Sequence, residues 1–526
     1  MRNNLAVLRL LRTLDEEQRP VTAEEQQVLA RWSGWGAVPN VFDARKSEFT
    51  AERAELMELL SAEGYEAAKT NTLNAHYTDA QLVRAIWQGM RDLGFEGGNV
   101  LEPGCGSGNF IGFAPTDTST PTRMVGVEVD PTSAAIAAHL YPDAQILGES
   151  FAETIAPDGA FDGVVGNVPF GSYWLYDARY NKGQESIHNH FIAKSLEMTR
   201  PGGVVALITS HWTMDAEDPS VREALASKAD LVGAVRLPLN AHSAAAGTRV
   251  VTDVLFLRRR EPDRAPDTTS WAATRPLTGS AGTVQVNEYF LDHPERVVGT
   301  MGVRMGQFGP EVDVEAPAGE STGEDFALTV GRMVSEARER GLAASAPGAD
   351  WEPLTLAGAH AARMDGLMQV DEHDKLTVIR DGVQVEIDPP YKNQRQELFT
   401  LLRMRDVYLE LVEAERTRPV GDEHIEQLRA RLNDLYDGYV ATYGPINRFD
   451  YAKNGRRSYP KLGGIRQDLL ATRVLALEHF NPDTQSATKA DIFHKRTIVP
   501  PTPPTSAATP ADALSISLDL VNEVRL

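Results

Sequence analysis

The sequence predicts an α/β fold, a doubly wound sheet of seven mostly parallel strands with helical extensions at both ends. Three observations lead to this prediction. Apolar, strand-like runs alternate with helix-like segments from residue 96 to residue 258. A glycine-rich turn, Gly104-Cys105-Gly106-Ser107-Gly108, directly follows the first of these runs. The run at 204–209 is almost entirely apolar, as expected of a parallel strand with both faces buried.

The glycine-rich turn lies where an open α/β sheet forms a nucleotide pocket, at the carboxyl end of its first strand. Glycines at 104, 106 and 108 allow a tight turn and a close approach of a ligand to the backbone. The spacing is Gly-x-Gly-x-Gly, which differs from the Gly-x-Gly-x-x-Gly fingerprint of dinucleotide-binding proteins. A nicotinamide-dependent dehydrogenase is therefore disfavoured.

The second predicted strand, 124–129, carries an acid close to its end. Glu128 stands roughly twenty residues beyond the turn, where an acid can bind the hydroxyl pair of a ribose. Asp130 and Pro131 are typical of the N-cap and the first residue of a helix. The alternative that these acids only cap the helix stays open.

Two further segments are expected at the same edge of the sheet. The third predicted strand, 144–147, is followed by Glu149-Ser150-Phe151, which offers an acid and an aromatic ring. Thr78 and Gln81 form a predicted capping box, and the helix that they open leads directly into the first strand. The N-terminus of this helix could fold over the glycine turn, although a plain helix cap is an equal alternative.

The fourth predicted strand ends in Asn167-Val168-Pro169-Phe170. The Asn167 side-chain oxygen and a backbone carbonyl can accept the two hydrogens of an amine that is conjugated to a base ring. Phe170 offers a face for a base extruded from a duplex. Because a sulfonium is already electrophilic, the protein mainly has to position the partners, and no nucleophile is needed. These residues favour methyl transfer from S-adenosylmethionine.

The composition limits the class of protein. The chain has 526 residues, of which 42% are hydrophobic and 24% charged, and a formal net charge of −22. This charge argues against non-specific affinity for nucleic acid, although it leaves room for a local basic groove. We expect no signal peptide and no membrane span, and a cytoplasmic location. The one cysteine, Cys105, lies inside the glycine turn, which excludes a covalent cytosine-C5 mechanism and a disulfide framework.

The segment 76–257 resembles the N6-adenine DNA methyltransferases in which the cofactor motif precedes the catalytic motif. The likeness rests on His76-Tyr77-Thr78, the run Glu102–Phe110, Val127-Glu-Val-Asp-Pro131, Glu149-Ser-Phe151 and Gly166-Asn-Val-Pro-Phe170. It implies a Rossmann-like methyltransferase sheet, S-adenosylmethionine as cofactor, the N6 amine of a flipped DNA adenine as acceptor, and a setting in restriction-modification. The family usually has Asn-Pro-Pro-[Tyr/Phe], whereas this chain has Val168 at the first proline. Glu149 likewise stands where an aspartate is more usual.

The resemblance also implies roles for single residues. Thr78 and the glycine turn would hold the methionine end of the cofactor, Glu128 its ribose and Glu149 its adenine amine, with Phe151 packed on the adenine. The expected catalytic residues are Asn167, Val168, Pro169 and Phe170. The expected cofactor-binding residues are Tyr77, Thr78, Glu102, Gly104, Gly106, Gly108, Asn109, Phe110, Glu128, Val129, Glu149, Ser150, Phe151 and Asn167. No metal site is expected.

The segments outside the sheet are predicted to be largely helical. A capping box at Thr22–Glu25 opens an N-terminal helix, and Trp32 and Trp35 are interpreted as packing residues rather than ligand-stacking ones. No regular structure is assigned to the acidic segment 310–350. We divide the chain into an N-terminal helical region (1–70), a methyltransferase domain (71–260), a linker with short elements (261–375), a hairpin plus helical domain (376–498) and a Pro-rich linker with a terminal helix (499–526).

Within the fourth part, Asp381-Gly382 between two apolar alternations predicts a type I′ hairpin. Two amphipathic helices are expected over 392–415 and 422–442. The segment Tyr451–Lys461 is basic with interleaved aromatics, which suits contact with single-stranded nucleic acid and equally a solvated loop.

The flanks resemble the front half of large phage- and plasmid-type proteins that join this methyltransferase to a helicase. The residues that carry this likeness are Thr22–Gln26, Ser33–Gly36, Tyr443–Asn447 and Lys489–Arg496. This likeness implies DNA as the substrate. Because this sequence has no Walker-type loop, the helicase that the likeness implies would be a further domain or a separate subunit. Three alternatives stay open: an RNA adenine, a protein glutamine amide, and a non-catalytic nucleic-acid-binding scaffold.

Overall fold

The computed structural model describes the whole chain except residues 18, 37, 71–77, 240, 242–249, 307–308, 317–320, 372, 454–455, 499–508 and 510–526. Two compact units are formed, one by residues 1–359 with 381–383 and the other by 360–380 with 384–526. The predicted linker and terminal helix over 499–526 therefore lie outside the described residues, apart from residue 509. None of the described helices is long and apolar enough to cross a membrane.

The first unit begins with the predicted N-terminal helices, α1 (Arg2–Glu17), α2 (Ala23–Leu29), α3 (Thr50–Leu59) and α4 (Ala62–Thr70). The capping box at α2 is present, since Thr22 accepts a hydrogen bond from the Glu25 backbone while the Glu25 side chain accepts one from Thr22. Leu5, Leu8 and Trp32 are buried in a cluster that also contains Ile136 of the following domain. The N-terminal region thus packs directly on the sheet domain.

A seven-stranded sheet forms the centre of this unit, and it confirms the predicted fold class. Its strands are β1 (Gly98–Pro103), β2 (Thr122–Val127), β3 (Gln145–Leu147), β4 (Phe161–Asn167), β5 (Thr199–Ser210), β6 (Ala229–Leu237) and β7 (Thr252–Arg259). They are arranged in the order β3-β2-β1-β4-β5-β7-β6. The first five are parallel, and β7 runs antiparallel between β5 and β6. The order reverses between β1 and β4, which is where such sheets bind ligands.

Helices cover both faces of the sheet: α5 (Ala80–Asp92), α6 (Asn109–Gly112), α7 (Pro131–Leu140), α8 (Ile187–Met198), α9 (Trp212–Asp215) and α10 (Ser220–Ala226). Asp130 caps α7 with Pro131 in its first turn, as predicted. The expected capping box at Thr78 is wrong. Helix α5 begins one residue later than expected, and Asp79 is its N-cap, with a carboxylate that accepts from the Gln81 N–H at 2.7 Å.

The segment after β7 contains more regular structure than the sequence predicts. Its elements are β8 (Thr274–Gly279), β9 (Gly282–Asn287), α11 (Glu288–Asp292), β10 (Thr300–Met305), β11 (Pro310–Glu315) and α12 (Thr322–Glu339). The expectation that 310–350 lacks regular structure is wrong. Phe326, Val330 and Val334 recur at helical spacing and are buried, whereas Glu324, Ala327, Ser335 and Glu336 are exposed. The five-part division of the chain stays a prediction.

Helices α5 and α12 pack closely on one face of the sheet, and Gly89 permits this approach. A Cβ built at Gly89 would lie 2.5 Å from Cγ1 of Val330 and 3.3 Å from the ring of Phe256. Gly331, the next residue of α12, has no atom within 4 Å of its Cβ position. Two glycines in neighbouring helices thus have opposite surroundings.

The second unit is built from small sheets and a helical hairpin. Its elements are α13 (Ala359–Ala362, which starts in the first unit), β12 (Met368–Val370), β13 (Leu376–Arg380), β14 (Val383–Glu386), α14 (Arg395–Thr417), α15 (Glu423–Tyr443), β15 (Asp450–Tyr451), β16 (Arg457–Ser458), α16 (Ala471–Leu475), β17 (Glu478–Asn481) and β18 (Ser486–Lys489). Asp381 and Gly382 have φ of 50° and 81°, as the predicted type I′ turn requires. Helices α14 and α15 match the two predicted helices.

The two glycines give a paired test of the packing between α5 and α12. We expect Gly331→Ala to raise the free energy of unfolding by about 0.5–1 kcal/mol, because alanine is the better helix former and meets no neighbour. Gly89→Ala should lower it by about 1 kcal/mol, because overpacking against Val330 outweighs the same gain in propensity. Chemical denaturation of both variants would measure this. A Gly89→Ala protein as stable as Gly331→Ala would contradict the close packing.

Candidate active site

A cavity of about 440 Å³ lies at the carboxyl edge of the sheet, between the ends of β1, β2 and β4 and the loop after β3. It brings together most of the residues predicted to bind a cofactor or a target amine. Those that line it are Thr78, Glu102, Gly104, Gly106, Asn109, Phe110, Glu128, Val129, Glu149, Ser150, Phe151, Asn167 and Pro169. Gly108, Val168 and Phe170 do not line it. Tyr77, with His76, lies outside the described residues.

The glycine turn is tied to the neighbouring strand. The backbone N–H groups of Gly104 and Cys105 both donate to the carbonyl of Val127, at 2.8 and 2.9 Å. Gly106 has φ of +56°, and a Cβ built there would meet no atom within 4 Å. The backbone at Gly106 is therefore open to the cavity, where a ligand can approach it closely.

Glu128 connects the turn to the start of α7. Its Oε2 accepts from the Gly106 N–H at 2.8 Å, and its Oε1 accepts from the Asp130 N–H at 2.7 Å. Burial raises the pKa of Glu128 to about 7, although the backbone donors oppose the shift. A carboxylate oxygen can accept more than one hydrogen bond, so Glu128 can still bind a pair of hydroxyl groups.

Glu102, in β1, holds the start of the helix that follows the glycine turn. It is 2% exposed, and its Oε2 accepts from the Ile111 N–H at 3.1 Å, in the first turn of α6. Burial raises the pKa of Glu102 well above its ordinary value, which is only partly opposed by the backbone donors of α6. Glu102 therefore accepts from one of the N–H groups at the start of α6, which have no partner within the helix.

The loop after β3 carries an acceptor that is not used within the described residues. Oε2 of Glu149 accepts from the Ala359 N–H at 2.6 Å, whereas its Oε1 is buried and has no partner in the part of the chain that the structure describes. Nearby, Gln145 bonds both backbone groups of Leu356, at 2.7 and 2.8 Å. Because buried acceptors are normally satisfied, the free oxygen fits a ligand with an N–H donor.

Asn167 shows the same pattern at the end of β4. Its Nδ2 donates to Oγ1 of Thr78 at 3.1 Å, and this bond orients the amide. Its Oδ1 is buried and has no partner among the described residues. The Thr78 hydroxyl is available because Asp79, and not Thr78, caps α5. Asn167 therefore brings an unused acceptor to the lining of the cavity.

Val168 and Phe170, the two predicted catalytic residues that do not line the first cavity, contact other parts of the fold. The Val168 N–H donates to the carbonyl of Ile208 on β5 at 3.1 Å, a bond that a proline could not make. Phe170 borders a second cavity, of about 550 Å³. The residues that line this second cavity are Phe170, Gly171, Ser172, Ser186, His188, Asn189, Ser210, Trp212 and Ala216. Burial lowers the pKa of His188 to about 4, so this ring is neutral at physiological pH.

A buried cation beside the first cavity was missed by the sequence analysis. Nζ of Lys194, on α8, donates to the carbonyl of Phe151 at 2.6 Å and to Oδ2 of Asp177 at 3.0 Å. His190 bonds the same Asp177 oxygen at 3.1 Å. Lys194 thus joins the loop that carries Glu149 to the loop that follows Phe170. No sequence pattern marks it, since its partners are 17 and 43 residues away.

Comparison with known proteins identifies the family of the chain. The family model described as N-6 DNA Methylase matches residues 63–340, more than half of the chain. The chain belongs to this family. The predicted resemblance to N6-adenine DNA methyltransferases is thereby confirmed, and residues 1–62 lie outside the matched region.

Individual relatives match shorter parts. The chain is 28% identical to the defense against restriction protein B of Escherichia phage P1 over 217 residues, 40% of this chain and 9% of that protein. It is 33% identical to a type II methyltransferase of Thermus thermophilus over 135 residues, 22% of this chain and 30% of that enzyme. An rRNA N6-adenosine-methyltransferase of Caenorhabditis elegans is 27% identical over 31% of this chain and 76% of its own.

Among solved structures, the M protein of the type I restriction enzyme EcoKI aligns with 15% identity and a TM-score of 0.30. That alignment covers 64% of this chain and 88% of the M protein.

Lys194 gives a stability prediction. Lys194→Met should lower the free energy of unfolding by about 3–5 kcal/mol, because Asp177 and the Phe151 carbonyl would stay buried without their cation. The exposed Lys182, in the loop that follows Phe170, is the matched control, and Lys182→Met should change the stability by less than about 0.5 kcal/mol. Denaturant titrations of both variants measure the difference. Equal stability would show that Lys194 does not hold the two loops.

Proposed function

We propose that the protein transfers the methyl group of S-adenosylmethionine to the N6 amine of an adenine in DNA. The observation that carries the proposal is the unused Oδ1 of Asn167. Asn167 lines the first cavity, and Phe170, three residues further on, lines the second. A target amine held in the second cavity could therefore meet a cofactor held in the first.

The first cavity fits the adenosyl group of the cofactor. Glu128 can accept from the two ribose hydroxyls, and the free Oε1 of Glu149 can accept from the adenine amine, with Phe151 against the adenine ring. The open backbone at Gly106 and the Thr78 backbone region would hold the methionine end. When bound, S-adenosylmethionine supplies an electrophilic methyl group, so this chain needs no nucleophile.

The residues at the end of β4 would prepare the amine. Asn167 Oδ1 accepts one amine hydrogen and a backbone carbonyl, which we assign to Val168, accepts the other. Both bonds turn the nitrogen lone pair towards the methyl group. Methyl transfer would form the nitrogen–carbon bond as the sulfonium's sulfur–carbon bond is lost, and the proton released by the amine would pass to solvent. Preorganised acceptors of this kind act where charge develops in the transition state.

Exposed aromatic rings in the loop that follows Phe170 and at the second cavity favour nucleic acid as the substrate. Trp174, Tyr176 and Trp212 are 45%, 78% and 58% exposed, and Trp212 itself borders that cavity. Base stacking is the interaction that exposed rings of this kind can provide to nucleic acid. Extrusion of the target adenine onto Phe170 would give access to its amine.

The family description and two relatives favour DNA over RNA. The phage relative is named for defence against restriction and the bacterial relative is a type II methyltransferase, so we place the proposed activity in restriction-modification. A helicase domain or subunit is a further proposed partner. Within the second unit, exposed Tyr451 and Tyr459 and the cation–π pair of Arg457 with Phe449 (4.5 Å) suit a DNA contact. The proposed location is cytoplasmic.

The amine site is tested by Asn167→Ala. We expect its methylation rate on DNA to fall at least about a hundredfold, because the acceptor that activates the amine is lost. Transfer of labelled methyl to mixed-sequence DNA, RNA and release-factor protein, with product analysis for N6-methyladenine, would measure this. Asn3→Ala, on the exposed side of α1, is the control and should keep full activity.

Each outcome of this assay is informative. Label only in RNA or only in the protein would replace DNA by one of the two alternative substrates. Cofactor binding without label on any substrate would favour the scaffold alternative. Full activity of Asn167→Ala would overturn the proposed amine site.

Cofactor affinity should depend on pH through Glu128. Its pKa of about 7 in the free protein means that the carboxyl group must lose a proton to accept from two hydroxyls. Affinity for S-adenosylmethionine is thus expected to rise as the pH increases towards 7 and to level off above it. Calorimetric titration between about pH 5.5 and 8.5 would record this. Glu128→Gln should bind more weakly and without this dependence; a pH profile that survives the substitution would exclude Glu128 as its source.

A further inference from the structure

Trp35 lines the first cavity although it belongs to the N-terminal region. The turn that carries it, Ser33–Gly36, lies outside the segment 63–340 that matches the methylase family. Its side chain is 1% exposed, and it was expected to be a packing residue. The cofactor cavity is therefore bounded in part by a residue that the family region does not contain.

A buried amide holds this turn in place. Asn4, on α1, is fully buried, and its Nδ2 donates to the carbonyl of Gly34 at 3.0 Å. Its Oδ1 accepts from both the N–H and the hydroxyl of Ser33, at 3.2 and 2.9 Å. These three hydrogen bonds fix the backbone on one side of Trp35. Helix α1 thereby determines where the indole lies.

A second tryptophan anchors the turn to the sheet domain. Nε1 of Trp32 donates to Oγ of Ser133 at 3.3 Å, in the first turn of α7. The rings of Trp32 and Trp35 pack edge to face, with centroids 4.9 Å apart. Ser133 and Asp130 line the same cavity. Trp35 therefore lies on the side of the cavity that follows Glu128, where the ribose is proposed to bind.

The indole N–H of Trp35 is the unexplained feature. Nε1 is buried and has no hydrogen-bond partner within the described residues, whereas Nε1 of the neighbouring Trp32 has one. An indole nitrogen can only donate, and buried donors are normally paired. A tryptophan that lines a cavity with an unused donor suits a ligand that brings an acceptor.

We propose that Trp35 is a cofactor-binding residue, which covers the adenosyl half of S-adenosylmethionine and donates its Nε1–H to an acceptor on it. The indole supplies apolar contact area that the glycine turn cannot supply, and the N–H supplies direction. This inference rests on the proposed function, because it assumes that S-adenosylmethionine occupies the first cavity. It adds the N-terminal region to the cofactor site.

The test uses the full chain and three variants. Trp35→Phe keeps a ring and removes the donor, and we expect about fivefold weaker binding of S-adenosylmethionine, as for one lost hydrogen bond. Trp35→Ala also removes the contact area and should weaken binding at least about tenfold. Trp351→Phe is the matched control, because Nε1 of Trp351 is likewise buried without a partner among the described residues but does not line the cavity. Calorimetry measures affinity, and thermal unfolding without cofactor checks the fold.

A spectroscopic measurement separates direct contact from a structural effect. The chain has 7 tryptophans, so its indole ¹H–¹⁵N resonances can be assigned by substitution. The resonance that is missing in Trp35→Phe should shift, and its hydrogen exchange should slow, when S-adenosylmethionine is added to the wild-type protein. The Trp351 resonance should stay unchanged.

The two proposals fail in different ways. A wild-type protein that does not bind S-adenosylmethionine would overturn the cofactor assignment and this inference with it. Normal binding by the wild type, with unchanged affinity in both Trp35 variants and an unshifted Trp35 resonance, would overturn this inference alone. Weaker binding by Trp35→Ala with an unshifted resonance would also overturn it, because the effect would then be structural.

Discussion

The carboxylate of Glu128 is the contact on which the arrangement of the candidate site depends. One oxygen holds the backbone of the glycine turn after β1, and the other holds the start of α7 after β2. The ends of two strands and one helix are thereby fixed around the same point. Because burial raises the pKa of Glu128 from 4.5 to about 7, its contribution to stability is greatest in acid and is lost as the pH rises through that interval. The fold thus retains an acid whose charge it does not favour, which is common at functional sites.

Much of the site could be predicted because the sheet is parallel. Local patterns identify strands and the residues that follow them, and parallel strands present their carboxyl ends at one edge. Glu128, Glu149 and Asn167 are far apart in sequence, yet all three line one cavity. The Asp381-Gly382 turn was equally predictable, since its backbone conformation is determined by the two residues themselves.

Other features depend on contacts that no local pattern records. Helix α12 has a buried apolar face, but the acidic and small residues around it obscure the helical period. In the sequence, Thr78 resembles a helix N-cap. In the structure, Asp79 is the N-cap of α5, and the Thr78 hydroxyl accepts from Asn167, 89 residues away. Lys194 and Trp35 join the site only through tertiary packing. Val168 departs from the family pattern at a position where its N–H pairs with β5, a bond that only the sheet register reveals.

The hydrogen bond between Glu149 and Ala359 has a consequence for the order in which the protein is made. Ala359 lies beyond the end of the family-matched region at residue 340, and it is the last residue of the continuous part of the first unit. A chain emerging from the ribosome has the strands, the glycine turn and Asn167 long before it has this residue. Until Ala359 has emerged and docked, the carboxylate of Glu149 lacks the partner that orients it. The pocket therefore reaches its final form only after residue 359 has been synthesised, and a chain terminated before it would carry the motifs without the completed site.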